Sequence, residues 1–159
     1  ILENCYNSKN GLFHFYDGKA NINGLLGDNI HFLNCLMDIY SVTQNKKYLE
    51  KIKEIAELTF KNFYDEDQGG FFDRIFKEED FGILRYKDKP FLENSFCATV
   101  FLRLYFLTME EKYNNIAERT LLYFADEYLN FGYFAATYAI AVHMLLNESK
   151  IPIFQKINK

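Results

Sequence analysis

An internal repeat, an alternation of wholly apolar with amphipathic helical segments, and a recurring glycine-aromatic step together predict an all-α fold. The expected architecture is an α/α toroid of helical hairpins, about two and a half of them, with short β-ribbon insertions. In the repeat, Asp28-Asn29, Tyr40, Thr43 and Lys47-Tyr48 recur 65 positions later as Glu93-Asn94, Tyr105, Thr108 and Lys112-Tyr113. A repeat carried on helix-period apolar residues marks one supersecondary unit stacked on another to bury a shared core. A TPR or HEAT array would repeat at shorter intervals and carry no ribbons.

The elements follow in order. Residues 28 to 43 form a helix that is apolar on most sides, with Ile30, Phe32, Leu33, Leu36, Met37, Ile39 and Tyr40. Residues 46 to 64 form an amphipathic one: Tyr48, Ile52, Ile55, Ala56, Thr59 and Phe63 fall on one stripe, and Lys51, Lys53, Glu54, Glu57 and Lys61 lie off it. The third, 93 to 108, is again apolar, with Arg103 its only internal charge. The fourth, 111 to 129, is amphipathic, and the fifth, Tyr133 to Leu146, carries no fixed charge. A helix apolar all round needs cover on both sides, so the first, third and fifth are expected to be inner helices and the other two outer ones. Short turns at Gln44-Asn45 and Met109-Glu110 make neighbours antiparallel. Gly11-Leu12-Phe13, Gly70-Phe71-Phe72 and Gly132-Tyr133-Phe134 precede the inner helices. There each glycine lets the backbone turn. After Gly70 a β-hairpin is expected, with strands Phe71 to Phe76 and Ile83 to Lys87 around the acidic turn Glu78-Glu79-Asp80. A second ribbon is expected from Leu12 to Tyr16, turning at Asp17-Gly18.

Composition narrows the function classes. The 159 residues suit a single domain, and 49% hydrophobic content is ample for a core. A net charge of -4, with acids and bases interspersed, gives no basic footprint, so neither nucleic acid nor an anionic membrane surface is an expected partner. Cys5, Cys35 and Cys97 are an odd count without CxxC or Cys/His spacing. They read as reduced thiols in a cytoplasmic protein, without structural zinc. The apolar stretch from Tyr133 to Leu146 is short for a membrane span. No phosphate loop accompanies Gly69-Gly70, and no cofactor or metal is expected.

Several motifs carry a family likeness: Gly24-Leu25-Leu26-Gly27-Asp28, Leu36-Met37-Asp38-Ile39-Tyr40 with Tyr48-Leu49, Asp67-Gln68-Gly69-Gly70-Phe71-Phe72, Arg85-Tyr86-Lys87, Glu93-Asn94-Ser95 and Leu102-Arg103-Leu104. Over residues 11 to about 147 the chain resembles the C-terminal toroid of the thioredoxin-fused, spermatogenesis-associated family. The resemblance implies a six-hairpin fold similar to N-acylglucosamine 2-epimerases and six-hairpin glycosidases. Two departures stand out. The family's thioredoxin-like domain is absent from this chain, so no redox function carries over. Phe91-Leu92-Glu93-Asn94 stands where many relatives have Pro-Ser-Gly-Asn. The chain therefore reads as the C-terminal portion of a longer toroid, and a missing N-terminal half or a second copy is expected to pack on the inner helices.

The candidate chemistry lies where inner helices begin. Asp28 and Glu93 hold equivalent repeat positions, and paired carboxylates are what glycoside hydrolysis needs. The competing reading is helix capping, which Asn29 and Asn94 fit as well. His31 lies three residues beyond Asp28 and can share its helical face, where a carboxylate orients an imidazole for proton transfer. The bland alternative is a packed core histidine, and the same reading covers His143. His14, Asn29, Asn94, Arg85 and Tyr86 are candidate substrate contacts, with Phe13, Tyr16, Phe72 and Tyr86 able to stack on sugar rings. Two function classes result: a carbohydrate-related enzyme, epimerase-like or hydrolase-like, binding a small carbohydrate, and a non-catalytic helical module that supports a thioredoxin-like domain.

Overall fold

A computed structural model describes residues 1 to 147. It is mostly helical with one small three-stranded sheet, and it divides into two compact units. The first comprises Ile1–Tyr64 and Phe72–Lys89, and the second takes Asp65–Phe71 and the chain from Pro90 onward.

The first unit contains strands β1 (Tyr6–Asn7), β2 (Gly11–Tyr16) and β3 (Ala20–Asn23), then helices α1 (Leu26–Thr43) and α2 (Lys46–Phe63). The strands are antiparallel in the order β1-β2-β3, and β2 meets β3 with Phe13 opposite Asn23, Phe15 opposite Asn21 and Tyr16 opposite Ala20. The expected ribbon at Leu12 to Tyr16 is thus present, with its turn at Asp17-Gly18 and a third strand before it. Leu26, Ile30, Leu33, Leu36 and Met37 of α1 are buried, as are Ile52, Ile55, Ala56, Thr59 and Phe63 of α2. The α2 spacing is the stripe that the periodicity marks out. Strand β1 is tied to α2 by side chains: Tyr6 donates its hydroxyl to Glu54 at 2.6 Å, and Lys51 reaches the other Glu54 oxygen at 2.5 Å. Those contacts hold the Glu54 carboxyl below the usual carboxylate range against the opposing effect of burial, and burial together with Glu54 pushes the Tyr6 phenol up.

The second unit contains α3 (Phe91–Thr108), α4 (Glu111–Tyr123) and α5 (Ala135–Leu146), with a 3₁₀ segment Tyr128–Phe134 leading into α5. Ten residues of α3 are buried, which is the full enclosure its all-round apolar sequence calls for. Phe91 forms the hub of an aromatic cluster, stacked on Phe131 at 3.8 Å between ring centres and packed against Phe124 and Tyr138. The Tyr138 hydroxyl donates to the Leu121 carbonyl at 2.9 Å, so this buried phenol is satisfied. Helix α4 stops at Tyr123 instead of continuing to 129, because the chain tightens into i to i−3 bonds where Phe124 turns in toward Phe91.

The repeat governs both hairpin turns. Gln44 and Met109 close α1 and α3 in the left-handed region, at φ 53° and 57°, and return their N–H groups to Tyr40 and Tyr105. Thr43 and Thr108 bond back to Ile39 and Leu104 at 2.8 and 2.9 Å.

Two further expectations need correction. Phe71 to Lys87 is not a β-hairpin: its two expected strands do not pair, Arg74 bridges to Leu25 instead, and Gly82–Arg85 forms a 3₁₀ turn. Asp80 organises the segment. Its carboxylate accepts from Arg74 at 2.8 Å and from the Lys77 amide at 2.9 Å, its carbonyl accepts from Arg85, and Arg74 also donates to the Leu84 carbonyl. Side chains that bond across the loop hold it closed without a ladder. Nor is α5 enclosed as expected of an inner helix. Only Tyr138 and Ala141 are buried, while Ile140 and Leu146 are exposed. The 19 residues Tyr128–Leu146 are apolar and long enough by length and composition to cross a membrane. They are not one straight α-helix, since Gly132 (φ 55°, ψ −128°) breaks them, and the 12 residues of α5 rise about 18 Å against about 30 Å of hydrocarbon.

Candidate functional site

The beginnings of α1 and α3 are built alike. In each, the cap residue (Leu25 or Pro90) offers no side-chain cap, the third helical residue is the carboxylate (Asp28 or Glu93), and the fourth is the asparagine. Asn29 and Asn94 are both buried. Asn94 accepts from the Phe71 amide at 2.6 Å and donates to the Phe71 and Pro90 carbonyls, each at 2.9 Å. Asn29 accepts from the Leu12 amide at 3.2 Å and donates to the Leu25 carbonyl at 2.8 Å. Both asparagines therefore grip the residue after a repeat glycine, Leu12 or Phe71, and pin that strap to the helix's first turn. Gly11 is required there: at φ 76°, a Cβ on it would lie 2.7 Å from Asn29 Oδ1.

The carboxylates do not cap backbone. Asp28 instead meets His14 on β2, whose Nδ1 lies 3.0 and 3.1 Å from its two oxygens. When Nδ1 of a neutral ring donates to the carboxylate, Nε2 carries the lone pair. The pair sits at the surface, with the His14 side chain 54% exposed and that of Asp28 23%. This is the orienting arrangement the sequence suggested for Asp28 and His31. The histidine so oriented is His14, 14 positions earlier, and His31 is exposed on α1. In the second unit Glu93 is half-buried, with no hydrogen-bond or ion-pair partner among the described residues. Burial, with the Glu93 charge adding, pushes the enclosed Cys97 thiol well up. Arg85 and Tyr86 stand on the exposed loop beyond Arg74, with Tyr86 among its most solvent-open side chains.

Asp73 is a residue that sequence reasoning missed. Its carbonyl accepts from the Leu26 amide at the start of α1, its N–H donates to Asp88, and its Oδ1 is buried without a hydrogen-bond partner. Burial, with the Asp88 charge adding, raises the Asp73 carboxyl above its ordinary range, although Arg74 opposes it. The folded state thus holds this proton more tightly than the unfolded chain. Its favourable contribution is complete below the ordinary carboxylate pKa of about 3.9 and is lost as pH rises through the folded value. Asp73→Asn is expected to raise the thermal midpoint at pH 7 and to match the parent protein near pH 3. Thermal melts at the two pH values measure the difference. Among the described residues no group of three or more His, Cys, Asp and Glu is placed to hold a metal ion.

Neither a protein-family model nor a curated protein matches the sequence. The fold does match a solved structure, a selenomethionine derivative of a GH76 alpha-mannanase from Bacteroides thetaiotaomicron. The TM-score is 0.64 at 20% identity, over 91% of this chain and 41% of that one. The class is thereby defined as a helical fold shared with that structure, and this chain spans about two fifths of the neighbour's length.

Proposed function

We propose that the chain belongs to a carbohydrate-active toroid that catalyses proton transfer at a sugar carbon, in the manner of a sugar epimerase. The observation that carries this reading is the pairing of His14 with Asp28 at the start of α1. A carboxylate on one ring nitrogen fixes the tautomer and leaves the other nitrogen as a base suited to neutral pH. His14 removes the proton from the carbon next to the open-chain sugar's carbonyl, and the electron pair moves into an enediolate. His31, one helical turn beyond Asp28, returns a proton to the opposite face. Fold likeness to a carbohydrate-active enzyme supports the substrate class. Glu93 occupies the position equivalent to Asp28 in the second unit. Arg85 and Tyr86 are the proposed loop contacts to sugar.

The test follows C2 hydrogen exchange in D₂O by NMR with mannose, glucose and N-acetylglucosamine. Exchange is expected with the parent protein and should vanish in His14→Asn. In His31→Asn, exchange persists from one epimer while interconversion stops. Release of reducing ends from α-mannan without C2 exchange would instead favour the hydrolase-like reading.

A second reading has its own observation. Leu129, Tyr133, Ile140 and Leu146 of the second unit are exposed, an apolar surface of the kind that marks an interaction face. It is consistent with a non-catalytic module packing on further helical hairpins or on a second copy. Sedimentation at micromolar concentration is expected to show self-association that Ile140→Lys reduces, and a monomer throughout would remove the second-copy form of this reading.

A further inference from the structure

The ribbon that carries His14 continues to an aromatic residue the proton-transfer pair does not use. Side chains alternate along a strand, so His14 and Tyr16 share one face of β2, about 7 Å apart. The residue opposite Tyr16 is Ala20, whose methyl leaves the phenol flank uncovered, and Tyr16 is 50% exposed. By the same register Ile22 stands opposite His14, also exposed and at φ 54°. Such a conformation is an outlier for a β-branched residue. The ribbon tip is knitted together: Asn21 Nδ2 donates to Asp17 Oδ1 at 2.6 Å and to the Lys19 carbonyl at 2.8 Å. Tyr16 therefore stands on a fixed support, one sugar ring's width from the imidazole. Its ring face suits the C–H face of a pyranose, and its hydroxyl suits the polar rim.

The geometry points to a second sugar-binding position at Tyr16, beside the reacting sugar at His14, making an oligosaccharide of at least two linked sugars the preferred substrate over a free monosaccharide. This inference rests on the proton-transfer reading. The linked sugar lies on Tyr16 while the reducing-end residue, which alone opens to a carbonyl, presents its C2 hydrogen to His14.

The experiment compares C2 exchange kinetics on mannose against α-linked mannobiose and on glucose against maltose. The parent protein is expected to show a KM about tenfold lower for the disaccharide of an active pair, the scale of one aromatic contact. Tyr16→Ala brings the ratio of the two KM values to about one, and Tyr16→Phe keeps most of the preference. Equal KM values in the parent protein, or a ratio unchanged in Tyr16→Ala, overturn the second position while leaving the proton-transfer reading intact. Absence of exchange with every sugar overturns both.

Discussion

Asn94→Ala is expected to destabilise the second unit by about 3–5 kcal/mol, enough to leave a marginal helical unit largely unfolded. Three hydrogen bonds converge on this buried side chain, two from Phe71 and one from Pro90. Truncation removes the side-chain partner of the buried Phe71 amide and carbonyl, while the Pro90 carbonyl keeps its bond from the Asn94 amide, and each lost buried hydrogen bond costs about 1–3 kcal/mol. Asn29→Ala should cost about half as much, because Asn29 makes two such bonds and its bond to Leu12 is long at 3.2 Å. Urea unfolding followed by circular dichroism measures both. Equal effects, or an Asn94→Ala change under 1 kcal/mol, would show that the strap does not depend on its pin.

His14→Asn should lower C2 exchange by about 10²–10⁴-fold, the usual contribution of a positioned general base. Structural damage is not a competing explanation of such a loss, because His14 is exposed and its side chain supports no buried contact. Asp28→Asn keeps a hydrogen-bonding group beside the ring but removes the charge that favours the imidazolium formed during transfer. It is expected to give a smaller loss of rate than His14→Asn. If His14→Asn and the parent protein exchanged at the same rate, the proton-transfer role of this pair would be excluded. Folding of both variants is checked by the same urea curves.

Helix positions could be read from the sequence because burial imposes a period on neighbouring residues. The α2 stripe Ile52, Ile55, Ala56, Thr59 and Phe63 is that period made visible, and the repeat located both left-handed turns. Contacts between residues far apart in the chain leave no such period. The loop after Gly70 reads as two strands because aromatic and branched residues flank an acidic turn. It is held by Arg74 with Asp80, a pairing that strand propensity does not register. The same limit explains the site. Asp28 was identifiable from its place in the repeat, but its partner sits 14 residues away on a strand. The asparagines were recognisable as special positions, while their bonds to Leu12 and Phe71 depend on where the preceding straps return. The uncovered side of α5 was invisible for a different reason. A sequence shows that a helix asks for cover and is silent on what supplies it.

The pinned straps have a further meaning for how a repeat of this kind varies the side chains it presents. Because the backbone is anchored at the asparagine, the residue just before it is presented at a set point whatever its own side chain does. One copy places an aspartate there, engaged with a histidine, and the other a glutamate without a hydrogen-bonding partner among the described residues. The fold thus separates the mount from what it presents, and the presented side chain can change from one hairpin to the next without rebuilding the helix that carries it.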